Sequence, residues 1–198
     1  NRAALYGRGA WATPLGEMPV DEELAGAVVR ACPDVEEDEP PHRVEHSIEV
    51  QVPLIQYLTP SARLLPILVP HLADGPTIGR IVAEQAGLLG RSTLFVGSTD
   101  LTHYGPRYGF TPKGVGPAGL QWAREVNDRR FLELVREMEA DKIAPHARRH
   151  QSACGSGAVA ATVAACRNCG ATRGLVLRHT TSNEVLSVRY GEMEDAVG

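Results

Sequence analysis

Cysteine is scarce in this chain of 198 residues: there are four, Cys32, Cys154, Cys166 and Cys169. Four thiols over that length make no disulfide framework, so they are expected free, in a reducing compartment such as the cytoplasm. Cys166 and Cys169 have C-x-x-C spacing, but no second Cys/His pair follows to complete a zinc site. They read as thiols at a helix end. A basic excess is also missing: 20 Lys and Arg face 24 Asp and Glu, a net charge of −4. That argues against a nucleic-acid partner, which wants a basic patch or stripe. Long apolar runs are absent. The longest uncharged, mostly small and apolar stretch, 152–166, is shorter than the roughly 20 residues of a spanning helix, so no membrane partner is expected. There is no H-E-x-x-H and no P-loop. No internal repeat and no dividing linker is visible.

What is present suits a globular chain, with 43% hydrophobic and 22% charged residues. Segments 3–6, 10–14, 63–69 and 92–98 read as strands. Segments 21–32, opened by Asp21, 44–58, 75–90 and 155–168 read as helices, with Pro53 disturbing the second of them, and 119–138 as one long amphipathic helix or a pair. The acidic, proline-rich stretch 33–42 reads as an exposed loop. Segments 173–181 and 184–193 read as a final pair of strands. This alternation predicts an α/β fold: a largely parallel central sheet flanked by helices, with an antiparallel C-terminal strand pair. In such sheets, sites form beyond the carboxyl ends of strands.

The segment "VGSTDLTHYG", 96–105, therefore matters most. It ends a predicted strand and presents Asp100 and His103 on a glycine-flanked turn. Imidazole suits proton transfer near neutral pH, and a nearby carboxylate can orient it. The plainer alternative is that Asp100 caps a turn and His103 is a loop residue. Glu45 and His46 form a second acid–imidazole pair. Cys154 precedes Gly155-Ser156-Gly157 and a helix, a setting that favours a thiolate, as nucleophile or soft metal ligand. It also suits a small Cys at a tight turn. His150 is positioned to join the same place, and His71 follows another strand; His42, His146 and His179 look incidental.

Together, "EHSIEVQVPLIQYL" (45–58), "PILVP" (66–70), "LFVGSTDLTHYG" (94–105) and "HQSACGSGAV" (150–159) resemble the Memo family, the B component of the AmmeMemoRadiSam group. The resemblance spans roughly residues 1–190. That family in turn looks like the class III extradiol dioxygenases, which implies a dioxygenase-type α/β domain over 1–198. It implies that His46, His103 and Asp100 line one pocket, with His103 in the acid/base position. It implies that Cys154 is a metal ligand, that the cofactor is iron or copper, that the substrate is a small molecule, and that a radical-SAM protein is a partner. The family's two further metal-ligating histidines have no counterpart here: residues 1–20 contain no histidine. With a first residue other than Met, the expectation is an N-terminally incomplete domain. Two other readings stay open: a non-catalytic binding or scaffold protein using the same cleft, and a Cys-dependent hydrolase or transferase.

Overall fold

Asp21 begins the first helix as its side chain suggests it should. In the computed structural model, which describes residues 2–190, its carboxylate accepts from the Leu24 N–H at 3.1 Å and caps α1, Glu22–Ala31. The same carboxylate takes Arg91 Nε at 2.8 Å, so α1 is tied to the segment that follows a later helix. Burial pushes the Asp21 carboxyl up, but Arg91, the Leu24 N–H and Arg63 outweigh it and hold the group below its usual value.

Strand β1 (Ala3–Leu5) is wholly buried and sits between β4 (Val35–Glu37), to which it runs parallel, and β5 (Ile67–Leu68), antiparallel to it. Strands β2 (Ala10–Thr13) and β3 (Gly16–Pro19) make a separate hairpin. The sheet is thus short and mixed, not largely parallel. Strand β4 lies inside the stretch expected to be a loop. Only Val35 is buried there, while Glu36 and Glu37 stay at the surface paired with Arg2 and Arg8.

The helix expected over 44–58 is confined to α2, Val52–Leu58, with Pro53 in its first turn. A proline is tolerated there because the first N–H groups have no intrahelical acceptor. Segment 92–98 is neither strand nor helix and joins no ladder among the described residues. Phe95 packs on the core beside β1 and α1, while Leu94 and Val96 are exposed. Segment 173–181 likewise forms no strand among the described residues, with Leu175 and Leu177 exposed.

The last expected strand is instead helix α8, Ser182–Tyr190; residues 191–193 of that expectation lie outside the described residues. The reason is a reciprocal cap: Thr181 Oγ1 accepts from the Glu184 N–H at 3.2 Å, and Glu184 Oε2 accepts from the Thr181 N–H at 3.0 Å. A Thr-x-x-Glu box of this kind satisfies two orphan donors and starts a helix.

The helical layer carries the rest. Helix α3 (Gly75–Leu88) crosses α7 (Ser156–Asn168) at very short range. A methyl group on Gly79 would lie 2.6 Å from the carbonyl carbon of Ala161. The small residues predicted in α7 thus serve close packing. Helix α4 (Pro117–Trp122) runs through a π-helical turn, Ala123–Asp128, into α5 (Arg129–Arg136). Helix α6 (Ala140–His150) then leads back toward α7. Phe131, Ile143, Ala160 and Val163 form the core between α5, α6 and α7. No helix among the described residues is long and apolar enough to cross a membrane.

Candidate metal site

Helix α6 ends at Gln151, which adopts a left-handed conformation with φ 48°. This conformation is uncommon outside glycine, and it turns the chain sharply between the two helices. Three residues later Cys154 stands just ahead of α7. Gly155 lies so close to the 98–99 backbone that a methyl group on it would meet Ser98 O at 2.5 Å. A larger residue would push the Cys154 turn away from the Asp100 turn.

Backbone bonds stitch these two turns together. The Cys154 N–H donates to Asp100 O at 3.2 Å, and the Gly155 N–H donates to Thr99 Oγ1 at 2.8 Å. The Asp100 N–H in turn points at Cys154 Sγ, 3.4 Å away. His103 Nε2 lies 3.3 Å from Asp100 Oδ2, and its ring stacks on Tyr108 with centroids 4.8 Å apart. The donor atoms of Asp100, His103 and Cys154 all lie within 4.8 Å of one another. His103 and Cys154 border a cavity of about 550 Å³ whose wall also includes His71, Leu101, Arg148, Gln151 and Ser156. Arg148 Nη1 donates to His71 O at 2.7 Å, which joins two sides of that wall.

A thiolate, an imidazole and a carboxylate fit a first-row divalent metal, which takes mixed S, N and O donors and in catalytic sites leaves a position open. Tetrahedral donors stand about 3.5 Å apart, so a small rotation would close the set, and the exposed Asp100 is free to make it.

Of the expected pocket residues, the structure brings Asp100, His103 and Cys154 together, with His71 nearby. His46 is exposed ahead of α2 and belongs neither to that cluster nor to the cavity wall. Its neighbour Glu45 is taken up by local capping. The carboxylate accepts from Ser47 Oγ (2.8 Å), the Ile48 N–H (2.7 Å) and the Glu49 N–H (3.0 Å). Burial pushes the Glu45 carboxyl up, yet these bonds outweigh it and hold the group below the usual carboxylate value. His150 sits with its ring 4.5 Å from that of His146, whose Nδ1 is 3.2 Å from the buried Ser152 Oγ. Burial, then the charges of His150 and Arg130, push the His146 imidazole down. The C-x-x-C thiols remain unpaired, Cys166 half-buried and Cys169 exposed.

Two residues that looked unremarkable in sequence make polar contacts with buried groups. His42 is buried, with Nε2 3.1 Å from Ala4 O. His179 lies with Nε2 2.9 Å from Oδ2 of the buried Asp128. Asp128 had no motif to mark it; it falls mid-way along an amphipathic helical stretch.

The chain matches the profile of the Memo-like protein family over residues 1–194. It is 34% identical over 189 residues to a MEMO1 family protein of Thermococcus onnurineus, covering 92% of this chain and 65% of that protein. With a MEMO1 family protein of Methanopyrus kandleri it shares 36% identity over 194 residues, 96% of this chain and 62% of the relative. With one of Methanosarcina barkeri it shares 36% over 193 residues, 95% and 65% of the two chains. The chain thus spans a little under two thirds of the length of these curated relatives. Both the profile match along nearly its whole length and the identity to these proteins lead to one assignment: this chain belongs to the Memo-like protein family.

Proposed function

We propose that this chain carries a metal-centred site of dioxygenase type that acts in redox chemistry on a small molecule. The observation that carries the reading is the convergence of Asp100, His103 and Cys154 within 4.8 Å, two of them, His103 and Cys154, in the wall of a cavity of about 550 Å³. Cys154 supplies a thiolate ligand, Asp100 a carboxylate, and His103 either a third ligand or a proton carrier beside a bound substrate. Iron and copper both accept this donor set, and either would supply one-electron chemistry and an open position. Tyr108, stacked on His103, limits the ring's rotation and offers a flat apolar wall. In the family setting the partner would be a radical-SAM protein, and the site of action the cytoplasm.

The test is metal loading of the protein with iron(II) or copper under anaerobic conditions, followed by dialysis and metal analysis. The reading requires about one metal per chain in the wild type and loss of it in Cys154→Ala. His103→Ala separates its two roles: lost metal makes it a ligand, retained metal with lost turnover makes it the proton carrier. His46→Ala is expected to leave metal content unchanged. A protein that takes up neither metal leaves the cleft to the binding or scaffold reading.

A Cys-dependent hydrolase is the less supported alternative. Among the described residues the contacts of Cys154 Sγ are the Asp100 N–H and Thr99 Oγ1, and no imidazole makes a hydrogen bond to it. A nucleophilic thiol needs such a base within reach.

A further inference from the structure

The turn that carries Asp100 and His103 has no ladder of its own. Residues 99–103 are irregular, and Asp100 is largely exposed. Something else must hold the two side chains in place. Between them sits Thr102, which is buried, and both of its donors go to one acceptor. Asp128 Oδ1 takes the Thr102 N–H at 3.0 Å and the Thr102 hydroxyl at 2.5 Å. Asp128 is itself 4% exposed. Its other oxygen takes the Nε2–H of His179 at 2.9 Å. A buried carboxylate is costly to keep without partners, and here three donors satisfy it.

The neighbouring residue works on the other arm. Asn127, 1% exposed, donates through Nδ2 to Thr102 Oγ1 at 3.0 Å and to His150 O at 2.9 Å. His150 closes α6, the helix just ahead of Cys154. Adjacent residues of the π-helical turn therefore grip both pieces of chain that form the candidate site. Single π-turns inside helices are often found at functional positions.

We infer that Asp128 is the positioning residue of this site: through Thr102 it sets where Asp100 and His103 stand relative to Cys154. The inference rests on the metal-site reading for its consequence, though not for its geometry. Outer partners that orient metal-binding side chains typically cost 10–100-fold in metal affinity when removed.

The experiment uses cobalt(II) as probe, followed by the near-ultraviolet absorption of a cobalt–thiolate bond, with thermal unfolding of each variant recorded alongside. Asp128→Ala and Thr102→Val are expected to weaken cobalt binding by about 10-fold or more. Asp128→Asn retains an amide oxygen that can accept both Thr102 donors and is expected to stay within about threefold of wild type. Equal affinity in all variants, with only the unfolding temperature changed, would reduce Asp128 to a structural role and overturn the inference. So would an Asp128→Asn as weak as Asp128→Ala. If Asp128→Ala does not fold, Thr102→Val decides. If the wild type takes no cobalt, the metal reading fails separately. Amide hydrogen exchange at residues 99–103, measured against the α3 amides, then decides positioning. About tenfold faster exchange in Thr102→Val supports it, and unchanged exchange sinks it.

Discussion

Gly79→Ala and Gly87→Ala make one chemical change at two places in α3, and the structure assigns them opposite signs. Ala is favoured over Gly inside a helix by up to about 1 kcal/mol. At Gly87 an added methyl group meets nothing within 4 Å, so only that preference acts. The variant is expected to gain about 0.5 kcal/mol, the lower part of the range because the position lies near the end of α3. At Gly79 the methyl carbon would lie 2.6 Å from the carbonyl carbon and 2.8 Å from Cα of Ala161. Carbon atoms prefer about 3.5–4.0 Å, so the helices must part by roughly 1 Å. Backbone cannot swing aside as a flexible side chain can. A methyl group on Gly75 would likewise lie 2.6 Å from Gly157 O, so the close approach extends along the crossing. Overpacking of this kind costs about 1–3 kcal/mol, which exceeds the helix preference. The expected net loss is about 2 kcal/mol, read as a lower urea midpoint with unchanged slope. Since α7 begins just after Cys154, the same variant is expected to weaken metal binding. If Gly79→Ala proves as stable as Gly87→Ala, the close crossing of α3 and α7 is wrong, and with it the account of how Cys154 reaches Asp100.

Glu45→Gln is expected to cost about 1 kcal/mol at pH 7 through weaker capping, measured by urea unfolding. Because the folded-state pKa of Glu45 lies below its ordinary value, its contribution is present above about pH 4.5 and lost as pH falls through the folded value. The difference between variant and wild type should therefore shrink by pH 3, and a constant difference would refute the capping role. Thr181→Ala is expected to destabilise by about 1 kcal/mol by removing one half of the Thr181/Glu184 cap, with a matching rise in amide exchange at the start of α8. Leu177→Lys should change stability by less than about 0.5 kcal/mol, since Leu177 is 89% exposed, while lowering the binding of an apolar dye. A loss of several kcal/mol would mean that Leu177 is packed.

Elements with strong local signals were legible in sequence. Asp21 marked the start of α1, Gly90 the end of α3, and the run of Ala and Gly the close packing of α7. The acidic stretch hid β4, because a strand of Val35, Glu36 and Glu37 is defined by its ladder to β1 and not by hydrophobicity. Segments 92–98 and 173–181 carry strand-like apolar residues, yet ladders need neighbours, and neither segment forms a strand among the described residues. At α8 the Thr-x-x-Glu signal was present in the letters and outweighs the β-branched residues that follow it.

By itself, the sequence determined which side chains stand at a turn or a helix start: Asp100 and His103 three apart on one turn, and Cys154 ahead of a glycine and a helix. It also carried the family resemblance. Propensity, capping and turn chemistry act over a few residues, so they settle such local matters. Only the tertiary structure decided which of these turns meet. The Asp100 N–H and Cys154 Sγ are 54 residues apart in the chain, and His46, part of an equally suggestive motif, is exposed ahead of α2 and does not line the cavity. Nor could local rules mark Asp128 or His179, whose roles exist only once the helical layer closes around Thr102. Convergence of that kind depends on how closely α3, α6 and α7 pack, and long-range contacts leave no short-range periodicity to read.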